Sequence, residues 1–349
     1  MSPCFLPKEG FVRRLINLLL ALLALLVLTG CETLSYYLQA FGGQMSMMAR
    51  SRAAAELIAD PSTPPALRER LALALSIRDY AVIGLKLPDN ASYRSYAELD
   101  RPFAVWNVVA APEFSLEPVQ SCFPVAGCVS YRGFFAHADA ERHAATLRAA
   151  GNDVFVYGVP AYSTLGRFDD PLLSTFIRNA DTALARLIFH ELAHQVAYAK
   201  DDSTFNESFA VVVEREGVRR WLAATGRGAQ MQDYLALQER GRAFTAEVEQ
   251  VRAKLKLLYR QRIAPDAMRE RKQAELQVLR TRLAGQERFK DQVPNNAMLA
   301  SFATYTDLVG TFEHMLREDG NDLGRFYARV KAYAASAPSN RGPLSVPSR

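Results

Sequence analysis

The spacing of apolar and polar positions changes several times along this chain, and each change predicts an element. Leu15 to Leu28 is an almost unbroken apolar run. Met45 to Ile58 reads as a first helix, ended by Pro61, Pro64 and Pro65. Ala66 to Gly84 is a second, with Leu67, Leu71, Leu75 and Ile77 near helical spacing. Ala104 to Ala110, bounded by Pro102 and Pro112, has the texture of a strand, as does Asp153 to Val159. Gln120 to Phe135 is extended, and Ala138 to Ala150 is a short helix stopped by Gly151. Asp169-Asp170-Pro171 then looks like the capped start of a long, widely apolar helix running to about Tyr198. Phe205 to Ala224 is the next helix, after the turn at Asp201-Asp202-Ser203. Beyond it, Tyr234, Phe244, Val248, Val251, Leu255 and Leu258 recur at three- and four-residue steps, Ile263 to Asp266 breaks the pattern, and Leu276, Leu279 and Leu283 resume it. This predicts two long antiparallel helices. Ala297 to Leu316 and Gly324 to Ala335 close the set.

The expected class is therefore α+β: a mostly helical core with a small mixed β-sheet and a long helical hairpin insertion. The expected boundaries are a leader over 1–30, a linker and first helix over 31–60, and a core over 61–229. The hairpin takes 230–292, C-terminal core helices 293–335, and a disordered tail rich in Pro, Ser and Gly 336–349. The hairpin reads as a solvated arm or as a surface for a protein partner.

Composition narrows the class. Apolar residues make up 49% of the chain and charged residues 23%, a balance that can bury a sizeable core. The net charge of +5 is spread through both signs, so no nucleic-acid footprint is present.

The leader has a basic start (Lys8, Arg13, Arg14), an apolar run short for a membrane span, and then Leu28-Thr29-Gly30-Cys31. Small residues before a cysteine resemble the bacterial lipobox. That resemblance implies cleavage before Cys31 and acylation of Cys31, and hence a lipid-anchored protein of the bacterial cell envelope facing the periplasm. Glu32 follows Cys31 where Asp would imply inner-membrane retention, so the outer membrane is favoured. The alternative is an uncleaved anchor. Cys122 and Cys128, six residues apart around Pro124 and Gly127, are expected to form a local disulfide in an oxidising compartment, with metal binding as the alternative.

The chemistry concentrates at His190-Glu191-Leu192-Ala193-His194. A four-residue spacing on a helix places both imidazoles on one face, where they can share one ion. Glu191 can then act as general base on a water beside a zinc ion, which is the chemistry of peptide hydrolysis. A third protein ligand is needed. Glu207, in Asn206-Glu207-Ser208-Phe209-Ala210, is the candidate; on position alone it reads equally as a helix-start acid. Asp202 is the next candidate. Glu214, two turns after Glu207, is read as a hydrogen-bond partner of a ligand histidine or as a solvated acid.

His190 to His194 followed by Asn206 to Ala210 resembles the gluzincin metallopeptidases. The resemblance implies a zincin-like core, His190, His194 and Glu207 as zinc ligands, and Glu191 as base. In several gluzincins a Tyr or His from a later helix stabilises the oxyanion. Tyr305 is the candidate here, with Tyr162 and Arg132 behind it and a plain core aromatic as the other reading of Tyr305. A second resemblance rests on Cys122-Phe123-Pro124, Tyr131 to Phe135, Pro160 to Gly166 and Asn295-Asn296-Ala297. These look like a family of bacterial proteins described as predicted zinc aminopeptidases, many of them lipoproteins. Residues 157–166, which stand where large aminopeptidases carry an acidic amine-binding motif, contain no acid. The functional expectation is a zinc-dependent peptidase acting on a peptide substrate, with aminopeptidase first. The alternatives are an endopeptidase or oligopeptidase, and a non-catalytic envelope scaffold with structural zinc.

Overall fold

Residues Val105–Pro112 form β3, the centre of a three-stranded antiparallel sheet in the computed structural model. The structure describes residues 36–123, 127–284, 292–303 and 308–336. The chain divides into two units, residues 1–46 and 47–349. A helix, α1, spans residues 36–49. The leader, Cys31 and Tyr305 all lie outside the described residues. Among the described residues no helix is long and apolar enough to cross a membrane.

The fold is α+β. β1 (Arg52–Ala53) pairs antiparallel with β2 (Ser95–Ala97), and β2 pairs parallel with β8 (Leu172–Leu173), making a small mixed sheet. β3 is flanked by β6 (Arg132–Phe134) and β7 (Asn152–Val159). β4 (Ser121–Phe123) and β5 (Gly127–Val129) form a hairpin in which Cys122 and Cys128 face each other and are disulfide-bonded.

Strand pleating decides what covers each face of the β3 sheet. Val109, Ala111 and Phe155 turn into a core shared with Val248, Val251 and Leu255 of α7 (Gly228–Leu258), Leu276, Leu279 and Leu283 of α8 (Pro265–Ala284), and Ala297 to Leu299 of α9 (Asn296–Ala303). α4 (His137–Ala149) packs on β3 and β7 with Ala140 and Ala144 buried. The helical hairpin thus lies along the sheet. Lys272 ties it down: its Nζ donates to Asp153 Oδ2 at 2.7 Å and to the Glu113 carbonyl at 2.9 Å.

The larger core gathers α3 (Pro65–Ile83), α5 (Asp181–His194), α6 (Ser203–Ala224), α10 (Val309–Glu318) and α11 (Leu323–Ala335). Leu184, Ile188, Phe189 and Leu192 of α5 are fully buried, each stabilising the fold by about 1.5–3 kcal/mol. Gly217 lets α6 approach closely, since a Cβ there would meet Leu85 and the Phe189 ring at 2.8 Å. Phe205 stacks on Tyr333 and meets Phe312 edge-on, and Phe209 packs against Phe312 and Phe326, so α10 and α11 brace the first turns of α6.

Three expectations are corrected. The long helix from Asp170 does not form, and α5 starts only at Asp181. Asp170 is no cap: its carboxylate accepts from Thr164 N and Oγ1 at 2.8 and 2.9 Å. Leu172–Leu173 pair with Tyr96–Ala97 instead, and Arg70 donates to the carbonyls of Ile177 and Asn179 that a helix would have used. The helix of residues 45–58 is broken, because Arg52–Ala53 join a sheet before α2 (Ala54–Ala59) begins. The single helix from Ala297 to Leu316 is two, α9 and α10.

Candidate metal centre

α5 carries His190, Glu191 and His194 in its last turns, and α6 carries Glu207 and Glu214. The two helices are held in register at both ends. At the start of α5, Asp181 accepts from Arg70 at 2.6 Å and Arg227 at 2.7 Å. At the far end, the Asn206 side chain brackets the connecting turn: its Oδ1 accepts from Ala199 N at 2.7 Å and its Nδ2 donates to Ala199 O at 2.8 Å. That bracket ends α5 before Tyr198 and aims the neighbouring Glu207. Replacing Asn206 with Ala leaves two buried backbone groups unpaired, at about 1–3 kcal/mol each. Asn206→Ala should lower unfolding free energy by about 2–6 kcal/mol in denaturant titration; a loss below the error of the fit would contradict the bracket.

Asp202 is not a ligand candidate in this geometry. It is the N-cap of α6, its carboxylate accepting from Phe205 N at 2.9 Å. Asp201, at φ 64°, turns the other way and accepts from Cys128 N at 2.5 Å, clasping the disulfide hairpin to the turn. Gly127 is required there: at φ +76° it leaves open the position its Cβ would share with the Asp201 carboxylate.

His190, His194 and Glu207 converge. His190 Nε2 lies 3.2 Å from His194 Nε2 and 3.3 Å from Glu207 Oε2, and His194 Nε2 lies 3.8 Å from Glu207 Oε1. Ligand atoms from the three lie within 4.8 Å of one another. These spacings fit one small cation: a tetrahedral zinc with bonds near 2.0–2.1 Å sets its ligand atoms about 3.3 Å apart. The donors are also shielded from water: the side chains of His194, His190 and Glu207 are 8%, 15% and 16% exposed. Two imidazole nitrogens face each other here with little solvent to satisfy them.

Charge in the cluster is strongly redistributed. Burial works against a charged His190, but the Glu207 and Glu214 carboxylates outweigh it and hold this histidine well above its usual range. Burial pushes His194 down to about 4. Burial raises Glu207, yet His194 and His190 outweigh it and hold the carboxylate low. Glu191 is pushed up to about 7, mainly by burial.

Glu214 Oε2 is 2.9 Å from His190 Nδ1. That bond places a proton on Nδ1 and leaves Nε2, on the side of His194 and Glu207, as the atom that would take an ion. Removing such a partner typically costs 10–100-fold in metal affinity. Glu214→Ala should weaken zinc binding by about that factor in a competition titration. Unchanged affinity would reduce Glu214 to a packing residue.

Of the other predicted residues, Tyr305 lies outside the described residues. Tyr162 packs edge-on against Phe135, and its hydroxyl is raised by burial and then by the Asp170 charge. The Arg132 guanidinium lies over Phe134. Tyr131 and Tyr198, which motif spacing did not flag, sit beside the cluster: after burial, the Glu207 charge is the largest cause raising both hydroxyls.

No curated protein and no solved structure matches this chain. A family described as "Putative aminopeptidase" matches residues 35–343, which takes in both helices of the candidate centre, and the chain belongs to that family.

Proposed function

We propose that this protein is a zinc-dependent peptidase whose first specificity is for peptides with a free N-terminus. Membership in the aminopeptidase family supports peptidase function. The observation that carries the finer reading is the convergence of His190 Nε2, His194 Nε2 and the Glu207 carboxylate at the spacing of a tetrahedral site. Those three residues hold the ion and Glu214 orients His190. A bound zinc supplies Lewis-acid polarisation of the carbonyl and acidifies water. Glu191, adjacent to the first histidine, accepts the proton of the attacking water and delivers it to the nitrogen of the leaving amine. Tyr305 remains the proposed oxyanion donor.

The leader pattern and Cys31 support attachment to a bacterial envelope membrane through a lipid, facing the periplasm, with the outer membrane favoured. The hairpin of residues 230–292 remains the proposed surface for any protein partner.

Specificity is tested with matched peptides bearing free and acetylated N-termini. Cleavage confined to the free peptide is expected. Equal cleavage of both would replace aminopeptidase with endopeptidase or oligopeptidase and leave the zinc chemistry standing.

A further inference from the structure

One side of α1 is apolar and exposed. Leu38 is 63% exposed, Phe41 61% and Met45 42%. They recur at helical spacing, so they form one stripe, with exposed Gly42 and Ser46 beside them. The helix has no charged residue from Tyr36 to Ala49. A helix in water ordinarily carries polar residues on its exposed side, and here Leu38, Phe41 and Met45 stand there instead. Contiguous exposed apolar side chains mark a surface that something covers.

The chain itself indicates the cover. The apolar run of the leader ends at Leu28, ten residues before Leu38, and the candidate lipidation site Cys31 is nearer still. Ten residues reach at most about 35 Å even when fully extended. A chain held in a bilayer at either point keeps α1 close to the lipid surface. Interfacial helices present Phe and Leu on one side and sink that side to the boundary of the acyl chains.

We propose that α1 lies in the lipid–water interface with Leu38, Phe41 and Met45 among the acyl chains, a second contact beside the membrane attachment on which this inference rests. With no charge between Tyr36 and Ala49, the contact is apolar and indifferent to anionic headgroups. Two attachments hold a protein on a membrane far more firmly than one.

The test uses the full chain carrying Phe41→Trp, and separately Leu38→Trp, reconstituted into neutral phosphatidylcholine vesicles. Emission is compared between vesicles with brominated and with ordinary acyl chains, after flotation. Co-flotation with bromine-dependent quenching of the introduced Trp, at both positions and equally in vesicles containing anionic lipid, is expected. Co-flotation without quenching would overturn the interfacial helix and leave the membrane attachment standing. Quenching only with anionic lipid would overturn its apolar character. Failure to float would overturn the attachment and this inference with it.

Discussion

Glu191→Gln is expected to reduce peptide hydrolysis by about 10²–10⁴-fold while the protein keeps its metal. Glu191 is one residue from His190 on α5, and the three converging ligand candidates are His190, His194 and Glu207 without it. Its carboxyl is pushed up to about 7, mainly by burial, a value suited to taking and returning a proton near neutral pH. Gln preserves size and hydrogen-bonding shape but cannot accept that proton. The same preparation should be assayed for kcat/KM and for metal content. Loss of metal along with activity would make Glu191 a structural or ligand residue. Unchanged hydrolysis would move the base elsewhere.

His194→Ala is expected to remove both activity and metal. The His194 ring sits at the end of α5 with its side chain 8% exposed, and its Nε2 is 3.2 Å from that of His190. Truncation leaves two ligands where a catalytic zinc site needs three. Stability gives an independent readout. A metal that binds only the folded chain stabilises it by about 2.7 kcal/mol at a concentration 100 times its Kd. Zinc should therefore raise the melting temperature of the wild type and leave that of His194→Ala unchanged. An equal rise in both would place the ion outside this cluster.

Much of the site was legible because its elements are local. The four-residue spacing of His190 and His194 places both on one helix face, and Glu207 follows on the next helix after a short turn. The sequence left Glu207 balanced between ligand and helix-start acid. The structure sets its carboxylate 3.3 Å from His190 Nε2, because the Asn206 bracket and the Phe205 and Phe209 packing fix the start of α6. Such long-range determinants leave no periodic trace. Neither the clamp of Arg70 on the carbonyls of Ile177 and Asn179 nor the pairing of Leu172 with Tyr96 can be read from local spacing. For that reason Leu172, Leu173, Phe176 and Ile177 looked helical while two of them belong to a strand. Asp170 and Asp202 illustrate the same limit. Both are acids at candidate helix starts, yet one is turned inward onto Thr164 and the other is a true cap. The strands β3 and β7 and the helix α4 were legible for the opposite reason, since Pro and Gly punctuate them and each strand is a short run rich in Val and aromatic residues.

The most direct test strips the full chain of metal with a chelator, removes the chelator, and follows hydrolysis of a free N-terminus peptide as zinc is returned. Activity should vanish on stripping and come back as about one equivalent of zinc binds, in the wild type and not in His194→Ala. Hydrolysis by the stripped protein at the untreated rate, or zinc binding no tighter to the wild type than to His194→Ala, would contradict a metal centre at His190, His194 and Glu207.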